Sequence, residues 1–138
     1  MKVYLFCDGA SRGNPGLAGI GFIIYDERWR VLKRFSKNIG ITTNNVAEYM
    51  AILTGLRTAK RIGARRVKVF SDSKLVVNQL KGAYKIKKSH LEQLYTKIKS
   101  VEKSFEQVSY NHVSRTNKKI ATVDRMINRM LDRLSKTS

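Results

Sequence analysis

Acidic residues are scarce in this chain: 10 Asp and Glu stand against 28 Lys and Arg in 138 residues, for a formal charge of +18. A surface so poor in acids suits a polyanion, with nucleic acid the better explanation and an anionic membrane a distant second. Cysteine is nearly absent as well. The single Cys7 excludes an intramolecular disulfide and fits a reducing, cytoplasmic compartment. Lying in an apolar run, it reads as an inert buried thiol. One Cys and two His leave a structural zinc site without its usual ligands. No apolar run approaches the roughly 20 residues that span a bilayer, so no membrane role is expected. Met1-Lys2 followed by Val3 to Cys7 is too short for a signal peptide. There is no repeat, low-complexity stretch or linker. Residues 1–138 therefore read as one domain, large enough to bury about two-thirds of its unfolded surface.

The basic residues run the length of the chain. Arg57, Lys60, Arg61, Arg65, Arg66 and Lys68 form one cluster, Lys81, Lys85, Lys87 and Lys88 a second, and Arg115, Lys118 and Lys119 a third. The hydrophobic pattern sets an order of elements. Residues 2–8 alternate and read as a strand covered on both faces. A loop rich in Gly and Asn follows from Gly9 to Gly16. Strands are expected over Gly19 to Tyr25 and from about Trp29 to Asn38, giving an antiparallel meander. Val46, Tyr49, Met50, Leu53, Leu56 and Ala59 recur at three and four, marking a helix that ends near Gly63. A strand over Arg66 to Ser71 follows, placed to return parallel to the first. Helices over Ser73 to Leu80 and Ser89 to Phe105 lead to a fifth strand over Gln107 to Val113. A basic loop over residues 114–121 and a helix over Val123 to Leu134 complete the chain. The order β-β-β-α-β-α-α-β-α implies an α/β fold with a mixed five-stranded sheet and helices on its faces.

Four of the few acids fall at pointed places. Asp8 ends the first strand, Glu48 sits in the first turn of a helix, Asp72 ends the fourth strand and Asp124 opens the last helix. Each also has an ordinary reading. Asp8-Gly9 is a turn signal. Asn45 as N-cap with Glu48 three residues on is a capping box. Asp72 between two serines could be an N-cap, and Asp124 a solvated acid at a helix start. Taken together they read differently. If the fourth strand lies parallel beside the first, Asp72 falls next to Asp8, on strands about 4.8 Å apart. Carboxylates that close repel one another and any polyanion unless a divalent cation lies between, which suggests metal-dependent chemistry on nucleic acid.

These residues resemble type 1 ribonuclease H. The motifs are Asp8-Gly-Ala-Ser-Arg-Gly-Asn-Pro-Gly16, Thr43-Asn-Asn-Val-Ala-Glu48, Phe70-Ser-Asp-Ser73, and Asn111-His-Val-Ser-Arg115 with Asp124-Arg-Met-Ile-Asn128. They occur in family order, and no separate hybrid-binding domain lies within the 138 residues. The resemblance implies a ribonuclease H-like fold and hydrolysis of the RNA strand of an RNA/DNA hybrid, leaving a 3′-hydroxyl and a 5′-phosphate. It also implies catalysis by Mg²⁺ or Mn²⁺, with two ions per site in the substrate complex. Asp8, Glu48, Asp72 and Asp124 match the four metal-binding carboxylates. On that carry-over Asp8 bridges both ions, Glu48 and Asp72 hold the one that activates water, and Asp124 completes the other. Asn14, Asn44 and Asn45 match positions that contact the hybrid, Thr43 a position near a DNA phosphate, and Lys87 and Lys88 are candidates for the DNA backbone. A monomer is expected, and no protein partner is implied.

The last motif departs from the family pattern. Ser114 stands where a Pro is usual, and Asn117 to Asp124 lengthens the His-to-Asp spacing by about two residues. Asp124 is the candidate for the fourth ligand, and Asp132, one to two turns later, a poorer one. Residues 114–123 lack the His that some members carry before the last helix; His112 reads as structural and His90 as a surface residue. Two alternatives follow: a catalytically weakened nucleic-acid-binding module, and a related nuclease acting on double-stranded RNA or DNA.

Overall fold

A computed structural model describes residues 1–86 and 89–137. Its elements are β1 (Lys2–Gly13), β2 (Gly16–Tyr25), β3 (Val31–Thr42), α1 (Asn44–Arg61), β4 (Arg66–Ser71), α2 (Lys74–Leu80), α3 (Ser89–Glu102), β5 (Gln107–His112) and α4 (Lys118–Thr137). The sheet runs β3-β2-β1-β4-β5. β1 pairs antiparallel with β2 and parallel with β4, which also pairs parallel with β5. The expected order and the parallel return of β4 are both present. Among the described residues, no helix is long and apolar enough to cross a membrane.

The alternation in β1 sends side chains to two cores. Val3, Leu5 and Cys7 join Ile20, Phe22 and Ile24 beneath α1 and α3. Phe6, with Ile23 and Tyr25, packs on the other face against Ile120, Val123, Ile127 and Leu131 of α4. Those four α4 residues recur at three and four and are fully buried or nearly so. Each contributes about 1.5–3 kcal/mol by leaving water.

Three expectations about local structure change. Residues 9–16 form no loop: β1 continues to Gly13, Arg12 pairs with Leu17 and Gly13 with Gly16, and only Asn14-Pro15 connects the strands. Backbone pairing of small residues extends the hairpin, so a Gly-rich stretch that resembles a loop is ladder instead. The third strand starts at Val31, after a turn in which the Asp26 carboxylate accepts from the backbone N–H of Arg28 and Arg30. The last helix begins at Lys118, inside the expected basic loop, because Asn117 Oδ1 accepts from the N–H groups of Lys119 and Ile120 and caps it.

Candidate active site

Asp8 and Asp72 reach the same edge of the sheet because β1 and β4 run parallel, with Phe6 opposite Phe70. Each acid stands two residues beyond that pair. Glu48 arrives from α1, and ligand oxygens of Asp8, Glu48 and Asp72 all lie within 4.8 Å of one another.

Glu48 is not in the first turn, and it caps nothing. The N-cap of α1 is Thr43, whose hydroxyl accepts from the Val46 N–H. The capping-box reading fails because the helix starts two residues earlier than that reading requires. Glu48 falls instead on the buried stripe with Ile52, Gly55 and Ala59. Its carboxylate accepts from the Gly9 backbone N–H at 3.3 Å and from the Ser71 hydroxyl at 3.4 Å. Gly9 makes the approach possible: a Cβ there would lie 2.3 Å from the Ala47 carbonyl carbon. Asp72 is likewise no cap, since Ser73 caps α2 through the Val76 N–H. That leaves the Asp72 carboxylate facing the cleft.

Asp124 is the seventh residue of α4 rather than its opening residue. The longer spacing before it is absorbed as helix, and Asp124 lines the same cleft as the other three acids. α4 lies close on the sheet here because β2 offers Gly21, the partner of Asp8, beneath it. A Cβ on Gly21 would meet Ile127 at 2.9 Å and Val123 at 3.1 Å. Asp132 is exposed and pairs with Arg12 instead, so it takes no part in the cleft.

The cleft has a volume of about 570 Å³ and is lined by Asp8, Glu48, Asp72, Asp124, Asn44, Ser73 and Arg115, among others. Asp8 and Glu48 are each only 4% exposed. Burial first, then the charges of Asp72 and Asp124, push Asp8 up to about 8. Burial, then Asp8 and Asp72, raise Glu48 well above the usual carboxylate range. Asp72 is half-buried and raised by desolvation, with the Arg115 guanidinium opposing the rise. Among the described residues, no salt bridge joins any of the four acids to a cation. Buried acids that raise one another, with no cation ion-paired to them among the described residues, fit a divalent ion, and their all-oxygen donor set is that of a hard cation.

The expected substrate contacts separate. Asn44 lines the cleft, and its backbone N–H is accepted by the Asn14 side chain at 3.1 Å, tying the β1–β2 turn to the start of α1. Thr43 spends its hydroxyl on the cap, and Asn45 stands one residue further into the helix. Lys87 and Lys88 lie outside the described residues. Arg115, which the sequence places in a basic cluster and at the end of the Asn111–Arg115 motif without a role, enters the cleft. His112 is exposed at the end of β5 rather than structural, and His90 is exposed on α3 as expected.

The sequence matches the family described as reverse transcriptase-like over residues 6–123. It is 40% identical over 133 residues to the bifunctional protein Rv2228c of Mycobacterium tuberculosis, covering 96% of this chain and 36% of that protein. The chain thus spans about a third of that relative's length. It is 31% identical over 139 residues to a ribonuclease H of Thermoanaerobacter, covering 96% of this chain and 86% of the relative. The solved structure of LC11-RNase H1 in complex with an RNA/DNA hybrid superposes with a TM-score of 0.89 at 35% identity, covering 96% of this chain and 98% of that one. The order of motifs, the sheet topology and these relatives agree: the chain belongs to the type 1 ribonuclease H family.

Proposed function

We propose that this chain hydrolyses the RNA strand of RNA/DNA hybrids, with residues 1–138 as one catalytic domain. Asp8, Glu48, Asp72 and Asp124 are its metal-holding and catalytic residues. One observation carries the reading: three carboxylates converge within 4.8 Å in an otherwise basic protein. When bound, divalent cations supply a lowered pKa for the attacking water, polarisation of the phosphate and charge neutralisation at the leaving oxygen. Mg²⁺ and Mn²⁺ both suit the oxygen donors.

The chain's own residues set the geometry. Asp8, central to the cluster, faces both Glu48 and Asp124. The Gly9 N–H and Ser71 hydroxyl fix the Glu48 carboxylate, so its orientation is set before any ion arrives. Arg115, on the rim beside Asp72, offers a cation to a phosphate oxygen. Asn44 offers an amide to a sugar hydroxyl, the group that separates RNA from DNA. Asn14 holds the start of α1 in place, and Thr43 and Asn45 border it. The basic surface supplies sequence-independent affinity for the two phosphate backbones. The chain acts as a cytoplasmic monomer on this reading.

The binding-only alternative rests on the altered last motif, with Ser114 in place of a Pro and a longer spacing before Asp124. That Asp124 lines the cleft favours the catalytic reading. The test is cleavage of a labelled hybrid, beside matched RNA and DNA duplexes, by wild type and by Asp72→Asn. The reading expects RNA-strand cleavage of the hybrid alone, lost in the variant.

A further inference from the structure

Asp124 is exposed and is carried by a helix that owes nothing to the sheet's hydrogen-bond ladder, so its placement depends on how α4 is held. Apolar packing fixes the distance of α4 from the sheet. Polar contacts, being directional, further constrain the rotation of the helix about its axis and its sliding along the sheet.

Among the described residues, two such contacts flank Asp124, one on each side. On the N-terminal side, Lys119 Nζ lies 4.7 Å from the centre of the Trp29 ring and 5.4 Å from that of Tyr25. Trp29 is itself stacked on Tyr4 at 4.2 Å. On the C-terminal side, Arg12, on the extended β1–β2 hairpin, gives one guanidinium nitrogen to three acceptors. They are Asp132 Oδ1 at 2.6 Å, the Asn128 carbonyl at 3.2 Å and Asn128 Oδ1 at 3.4 Å.

The Arg12 contact continues to the cleft. An arginine only donates, so it selects the oxygen of the Asn128 amide and turns the nitrogen the other way. That nitrogen donates to the Asp124 carbonyl at 3.1 Å. We infer that Arg12 is a positioning residue for Asp124, acting through Asn128. It holds the turn of α4 that presents the fourth carboxylate to Asp8. The inference rests on the proposed metal-dependent cleavage for its catalytic consequence, but not for its effect on ion binding. Arg12 touches none of the cleft-lining residues in these contacts, so its effect should fall on turnover rather than on substrate affinity.

The experiment compares wild type, Arg12→Met, Asn128→Ala, the double variant and Arg12→Lys by steady-state cleavage of a labelled hybrid. Mn²⁺ alone is also titrated and followed by its electron paramagnetic resonance signal, and thermal melts confirm folding. Arg12→Met and Asn128→Ala should each lower kcat about 10- to 100-fold with KM held within about twofold. The double variant should be no worse than either single one, because the two act in one chain. Arg12→Lys, which keeps the charge on a shorter side chain without the planar guanidinium, should fall between. Apparent Mn²⁺ affinity should weaken about tenfold in both single variants. A raised KM at constant kcat would overturn the inference by making Arg12 a substrate contact. Additive losses would overturn the route through Asn128. If wild type cleaves no hybrid, the proposed function fails, and the Mn²⁺ titration still decides: equal affinity in wild type and Arg12→Met overturns the inference.

Discussion

The backbone N–H of Gly9 donates to the carboxylate of Glu48 across 39 residues of sequence, at 3.3 Å. This bond joins the strand that carries Asp8 to the helix that carries Glu48, and it exists only because residue 9 has no side chain. Gly9→Ala would place a methyl group 2.3 Å from the Ala47 backbone and drive the start of α1 away from β1. We expect a loss of about 1–3 kcal/mol in urea unfolding and a larger proportional loss of cleavage. Alanine tolerated with full activity would mean that α1 is not held against β1 in this way.

Gly21 does the same for the other wall. Gly21→Val should push Ile127 and Val123 outward and lift Asp124 from Asp8. Stability should fall by about 1–3 kcal/mol, and the Mg²⁺ concentration for half-maximal cleavage should rise. An unchanged metal requirement in a destabilised but folded variant would separate packing from the site.

Much of the fold is legible in the sequence. The element order followed from hydrophobic period, and the Asp8–Asp72 juxtaposition from a helix separating β3 from β4. The role of Glu48 was obscured by a plausible cap. The signal against that cap is its place on the stripe with Ile52, Gly55 and Ala59, where a solvated carboxylate cannot sit. The start of α4 was missed because Asn117, its cap, stands among basic residues that look like loop. The Arg12–Asn128 contact joins positions 116 residues apart, and no local pattern encodes it.

The acid cluster predicts how stability depends on pH in the absence of metal. Asp8 has an ordinary value of 3.8 and is pushed up to about 8 in the fold. The folded state therefore binds the proton more tightly than the unfolded chain does. The associated stability is fully present below pH about 4 and is lost as pH rises through about 8. Glu48 and Asp72 shift the same way. In EDTA, the melting temperature should fall between pH 5 and pH 8 on account of these groups, and Asp8→Asn should flatten the fall. Added Mg²⁺ should raise stability most at the alkaline end. A metal-free melting temperature that climbs over this range in wild type and Asp8→Asn alike would contradict the placement of these acids.

Binding should be strongly salt-dependent. With charge +18 the chain releases condensed counterions from the hybrid, so the logarithm of affinity should fall linearly with the logarithm of salt concentration. The measurement uses Asp8→Asn, which should bind without cutting. Salt-independent binding would remove the electrostatic basis assigned to the basic surface.

The most direct measurement is cleavage of an end-labelled RNA/DNA hybrid in Mg²⁺ and in Mn²⁺ by wild type, Asp8→Asn and Asp124→Asn, with binding followed in parallel. Wild type should cut the RNA strand to 3′-hydroxyl and 5′-phosphate ends and stop when EDTA is added. Both variants should bind the hybrid with rates reduced about 100-fold or more. Cleavage that survives chelation, or that Asp8→Asn leaves intact, would contradict the assignment of these carboxylates.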